Sequence, residues 1–219
     1  MKQRGKTFNL VTMIALVLQF LLPAYANRYE ECIDAINGDI NNALEQAFVW
    51  RDAGGGVAAR HCIALTLLAM GQEEEAALRL EELALEAGTG GPEERAELLA
   101  QAAQAWMRAG RPSEADVVLT SAIELQSSDP NLFVERALAH RMRQDWTSAI
   151  TDLTSAIKLD RSLVDAYILR AAARRHTGDT IGASADVRRA LELDPANVDA
   201  FLERGRQREL ASGRDPSLD

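Results

Sequence analysis

A spacing of 34 residues, kept at every matched position between residues 130 and 195, constrains this chain of 219 residues more than any other feature. Phe133 returns as Tyr167, Arg136 as Arg170, Ala137 as Ala171, Ala149 as Ala183, Asp152 as Asp186 and Ala156 as Ala190. A third copy starts with Phe201, Arg204 and Gly205 and then stops. A fixed period of this length is the mark of stacked helical hairpins, because one hairpin cannot bury its apolar side alone and must lean on its neighbours.

The repeating unit has an aromatic early in its first helix, a small residue four positions on, Gly178-Asp179 at the turn, alanines in its second helix and Leu193-Asp194-Pro195 at the exit. In these features it resembles the tetratricopeptide repeat (TPR) family. The resemblance implies an all-α, right-handed solenoid. Extended along the chain by helical periodicity and turn residues, it gives about five hairpins, at residues 28–53, 57–88, 93–128, 130–162 and 163–196, with a C-terminal capping helix over 197–212 and a flexible tail over 213–219. The step from Ala115 to Ala149 to Ala183 keeps the period, whereas Ala43 to Ala76 is 33 and Ala76 to Ala115 is 39. The glycine-rich residues 88–92 absorb that excess and are the candidate linker. The helix after Pro112 is expected to be capped by Ser113, with Asp116 three residues on as a weak capping box.

Residues 1–26 carry a separate message. Lys2, Arg4 and Lys6 precede an apolar run from Leu10 to Leu22, broken by Thr12 and Gln19, and Pro23 leads into Ala24-Tyr25-Ala26. That order is the order of a secretory signal peptide, with cleavage expected after Ala26. The rival is an uncleaved anchor, but a run of this length spans roughly 20 Å as a helix, short of the roughly 30 Å hydrocarbon core. The chain is therefore expected to be exported, to a bacterial periplasm, with a secreted or anchored form as the alternative.

Charge is unevenly spread. Residues 27–128 hold 7 basic and 18 acidic side chains, whereas residues 129–219 hold 14 and 15, and 13 of those 14 are arginine. The acidic excess argues against nucleic acid or an anionic membrane surface as the main partner. The C-terminal arginines suit carboxylates, since a planar guanidinium can grip one with two parallel bonds.

No residue pattern for catalysis is written here. His61, His140 and His176 fall at different helical phases, Gly54-Gly55-Gly56 lacks the Lys-Ser/Thr of a phosphate-binding loop, and Glu73-Glu74-Glu75 reads as a solvated face. Trp50, Trp106 and Trp146 are expected in the core. No metal and no cofactor is expected, and the chain is not expected to be an enzyme.

Two expectations concern charge and sulfur. Arg136, Arg170 and Arg204 recur at one phase of the first helix, and Asp152 and Asp186 at one phase of the second, which reads as a structural ladder of ion pairs. Because Arg204 lies in a cap with no second helix, pairing across hairpins is expected: Asp152 with Arg170 and Asp186 with Arg204. A TPR-like stack also makes the first helices of hairpins one and two neighbours, so Cys32 and Cys62 are expected to form a disulfide in an exported chain.

The resemblance further implies a concave face lined by the first helices. By register it takes in Leu65, Gln104, Arg108, Arg141, Arg175 and Arg206, with Val134, Ile168 and Leu202 as apolar neighbours. Chaperone-binding TPR proteins grip a terminal carboxylate there with lysines and asparagines. Here Val134 and Ile168 stand for the lysine, and Leu138 and Ala172 for the asparagine, so chaperone C-termini are not the expected ligand. The reading is a non-enzymatic scaffold holding a protein or peptide, with an acidic segment or a chain-terminal carboxylate, in its groove. The alternative is a structural subunit of a cell-envelope assembly that uses the convex or N-terminal surface.

Overall fold

The computed structural model describes residues 27–86 and 88–213. The expected signal peptide and the end of the expected tail lie outside the described residues. Among the described residues every regular element is an α-helix. They are α1 (residues 27–37), α2 (Ile40–Asp52), α3 (Gly56–Ala69), α4 (Glu73–Leu85), α5 (Pro92–Arg108), α6 (Pro112–Leu125), α7 (Pro130–Met142), α8 (Trp146–Leu159), α9 (Val164–His176), α10 (Thr180–Leu193) and α11 (Val198–Ala211). None is long and apolar enough to cross a membrane.

Local chemistry sets these boundaries. Asp39, Asp145 and Asp179 precede α2, α8 and α10, and each carboxylate accepts the backbone N–H of Asn42, Ser148 or Gly182, filling one of the orphan donors of a helix start. Pro92, Pro112 and Pro130 open α5, α6 and α7, where a missing N–H costs nothing. The start of α6 therefore falls at Pro112, and Asp116 accepts Arg143 Nη1 at 2.6 Å, which corrects the capping expected of Ser113 and Asp116. Gly110 and Gly178 leave their helices in the left-handed region, at φ 73° and 81°. The repeat puts Gln144 at the same place with φ 60°, a conformation that costs an L-residue about 1 to 2 kcal/mol.

The described residues divide into two compact units, one ending at Arg79 and one beginning at Leu80. The division falls inside α4, whereas the linker was expected at residues 88–92. Thr89 is buried with its hydroxyl donating to Leu83 O at 2.5 Å, and Glu94 accepts Gly91 N–H at 2.9 Å.

In the first unit, Ala47, Trp50, Ala59, Cys62, Ile63, Leu67 and Ala76 form the core, with Tyr29, Leu44 and Phe48 against it. A side chain at Gly55 would place its Cβ 2.6 Å from the Trp50 indole, so the second of the three glycines is where backbone and core touch. Cys32 of α1 is bonded to Cys62 of α3, with Cα atoms 6.3 Å apart.

In the second unit α5 pairs with α6, α7 with α8 and α9 with α10, each second helix packs on the next first helix, and α11 closes the series against α9 and α10. The repeated alanines Ala137, Ala149, Ala156, Ala166, Ala173, Ala190 and Ala200 are buried around Leu153, Ile157 and Tyr167. Small residues let helices approach closely at dispersion distance, which explains why the 34-residue pattern is mostly a pattern of alanine.

Candidate functional site

The ladder residues come first, because they decide which cations remain for a ligand. Arg136 donates from Nε to Asp152 Oδ2 and from Nη2 to Oδ1, both at 2.8 Å, and from Nη1 to Thr120 Oγ1 at 3.0 Å. Arg170 repeats this with Asp186 at 3.0 and 2.7 Å and with Thr154 at 3.1 Å. Pairing therefore runs within a hairpin, not across hairpins as expected, and the spare member is Arg204. The reason is register: Arg170 meets Thr154 of α8 on one side and Asp186 of α10 on the other, while Asp152 of α8 is already held by Arg136. Arg204 instead stacks on the Phe201 ring, 4.8 Å from its centroid.

A second side chain of the first helix, one helical turn on, approaches each aspartate. Arg174 Nη1 donates to Asp186 Oδ2 at 2.7 Å, and His140 Nε2 lies 3.4 Å from Asp152 Oδ2. From sequence, His140 counted only as one of three non-converging histidines and Arg174 was not singled out, although both stand four positions after a ladder arginine. His61 bonds Tyr29 Oη at 2.7 Å, and His176 stacks on Trp146 with centroids 3.9 Å apart, so the three histidines occupy separate surroundings. Burial, reinforced by Arg175 beside it and offset in part by Glu203, holds the His176 ring below the ordinary imidazole range. Trp50 and Trp106 are buried, whereas Trp146 is half-buried on that stack.

On the face made by the first helices of the second unit, the expected arginines separate into two kinds. Arg175 Nε donates to Glu203 Oε1 at 2.8 Å, and Glu203 is only 1% exposed, so this guanidinium is held inside the fold. Arg206 reaches Glu203 Oε2 at 3.5 Å but is itself exposed. Arg108 and Arg141 are exposed as well. Val134 and Ile168 are half-buried against the core and Leu202 is exposed, giving an apolar strip beside the charges. Gln104 Nε2 donates to Glu135 Oε1 at 2.6 Å and ties α5 to α7 across the same face.

Glu135 is the strained group here. Burial, with Glu97 and Asp129 nearby, pushes its carboxyl above the ordinary range, against the bond from Gln104, and Oε2 has no hydrogen-bond partner. A carboxyl that holds its proton to higher pH when folded loses stability as pH rises through the gap between unfolded and folded values. Glu135→Gln is therefore expected to raise the melting temperature at neutral pH, with the gain fading below about pH 4 where both states are protonated. Thermal melts of the two proteins across pH check this; an equal gain at every pH would assign it to packing.

Similarity to solved structures fixes the kind of fold. The first TPR domain of human RPAP3 is 32% identical, covers 56% of this chain and 96% of its own, and superposes with a TM-score of 0.53. The first TPR of Spaghetti (RPAP3), bound to the HSP90 peptide SRMEEVD, is 28% identical over 55% of this chain and 98% of its own, also at 0.53. The chain is a TPR-like protein. YrrB, a TPR protein with an unusual peptide-binding site, covers more of it, 83%, and 90% of its own length, at TM-score 0.65 and 15% identity, which speaks to the fold alone. No protein-family model matches the sequence, and no curated protein does. In this TPR-like chain the first helices α5, α7, α9 and α11 thus carry both the exposed arginines and the apolar strip.

Proposed function

We propose that the chain is an exported, non-enzymatic scaffold that holds a protein or peptide segment against the first helices of hairpins three to five. The observation that carries this reading is the pairing of exposed Arg108, Arg141 and Arg206 with the half-buried strip of Val134 and Ile168, extended by Leu202. A segment with one apolar edge and one or more carboxylates matches such a face, and charge-assisted bonds to arginine would fix its register. TPR domains of similar structure bind peptides ending in EEVD. With Val134, Ile168, Leu138 and Ala172 where the chaperone-binding domains use lysine and asparagine, the partner here is a different acidic peptide, held by arginines later in each first helix.

The test is a triple Arg→Ala variant. Arg108, Arg141 and Arg206 are the positions to change; Arg175 is left alone, because removing it would strand buried Glu203 and confuse folding with binding. Helicity and melting are expected to be unchanged, and recovery of native partners by crosslinking in the chain's own compartment is expected to fall at least tenfold, the size of one charge-assisted contact. Undiminished recovery would move the working surface elsewhere and favour an assembly subunit.

A further inference from the structure

Successive first helices of the second unit leave three gaps between them, and the chain's own carboxyl groups close two. Between α5 and α7, Glu135 reaches across and accepts Gln104 Nε2 at 2.6 Å. Between α9 and α11, Glu203 reaches across at 1% exposure and accepts Arg175 Nε at 2.8 Å. Glu135 and Glu203 stand at one phase of the repeat, two periods of 34 residues apart. The position midway between them in that register is Leu169.

The middle gap, between α7 and α9, therefore lacks the carboxylate but keeps a cation. Arg141 is the repeat equivalent of Arg175, it is exposed, and no side-chain hydrogen bond or ion pair holds it among the described residues. The other arginines of these two helices are taken: Arg136 by Asp152, Arg170 and Arg174 by Asp186, and Arg175 by Glu203. Beside Arg141 lies a hollow of about 10 Å³, the room of one water-sized sphere, walled by Leu138 and Leu169 over buried Ala149, Leu153 and Ala173. A water there would find Arg141 as its one polar partner among the lining side chains, short of the two to four that ordered water needs, so the hollow suits a methyl group.

We infer that this middle gap binds a glutamate side chain of a partner peptide, with its carboxylate on Arg141 and the methyl group of a nearby alanine in the hollow. Glutamate is the residue the chain itself places in the gaps on either side, and the contact of Arg175 with Glu203 is the template. What is already taken decides the position: in the flanking gaps Gln104 and Arg175 have their acceptors, whereas in the middle gap the guanidinium is open to a charge-assisted bond. This subsite is part of the first-helix face proposed as the working surface and rests on that reading.

The probe is the amidated, acetylated peptide Ala-Ala-Glu-Ala-Ala, titrated into the intact chain at low salt while the methyl signals of Leu138 and Leu169 are followed by NMR. Saturable shifts of both are expected, with binding weaker by about tenfold or more for the same peptide carrying glutamine, the fold-change that one charge-assisted bond supplies. Arg141→Gln, at an exposed position where folding is spared, is expected to bring the two peptides to equal affinity. Leu169→Glu is expected to supply the missing carboxylate from the chain itself and abolish binding; where that variant does not fold, Arg141→Gln decides alone. Equal binding of the two peptides to the unaltered chain, absence of saturation, or indifference to Arg141→Gln would overturn the assignment. So would equal binding of acetylated penta-alanine with a free C-terminus, since the gap would then read a chain end. Native-partner recovery separates this subsite from the face that contains it: a loss on changing Arg108 and Arg206 together to alanine that Arg141→Gln does not share would leave the face in use and overturn glutamate recognition at Arg141.

Discussion

Replacing Asp186 with alanine is expected to destabilise the second unit by about 3 to 5 kcal/mol, the cost of breaking a buried ion pair from one side. The aspartate is 3% exposed and accepts three bonds, from Arg170 Nε and Nη2 and from Arg174 Nη1. Alanine would leave two guanidinium groups facing a space too small and apolar to hydrate them well. Asp152→Ala is expected to cost less, because one arginine bonds Asp152 where two bond Asp186. Urea unfolding followed by circular dichroism measures both. The within-hairpin geometry adds a sharper outcome: Asp186→Arg combined with Arg170→Asp recovers part of the loss, whereas Asp186→Arg combined with Arg204→Asp does not. A loss below about 1 kcal/mol, the range of exposed pairs, would mean the site is wetter than its geometry implies.

The hairpins were legible because each repeated residue packs against a neighbour at fixed sequence distance, so one period encodes both the element and its contact. The ladder was legible as a set of residues but not as a set of bonds. An arginine in a first helix has a second helix on either side, and Thr120 and Asp152 both stand 16 residues from Arg136. The recurrence of Thr120 as Thr154 was the available signal that the earlier helix offers a hydroxyl and the later one the carboxylate. Arg204 misled because its repeat phase implied a partner, while its actual contact is an aromatic ring three residues back. Arg175 was read as a groove cation, yet Glu203 buries it; the repeat equivalents of Glu203 are Leu169 and Glu135, so periodicity gave no warning. The Trp146–His176 stack is likewise invisible to any pattern, since it joins the start of one helix to the end of the next.

In the first unit the largest expected effect comes from sulfur. Removing the Cys32–Cys62 bond by substituting both residues with alanine is expected to cost about 3 to 4 kcal/mol, because the bond closes a loop of 30 residues and so restricts the unfolded chain. Alanine avoids stranding a hydroxyl at Cys62, which is fully buried. The bond joins α1 to α3, and few other polar contacts hold α1; Tyr29 to His61 is the notable one. Stability in a repeat protein is a sum of local terms, so the loss should be read locally. Hydrogen exchange is expected to quicken for amides of α1 to α3 in the double variant, while amides of α9 and α10 keep their protection. The same experiment with a reducing agent on the unaltered chain should reproduce it, and a chain recovered oxidised from its own cells would support export, since cytosolic thiols are kept reduced. Unchanged exchange in α1 after both substitutions would show that packing of Tyr29, Ile36, Leu44 and Phe48 suffices to hold the helix, and that the disulfide adds cross-linking without stability.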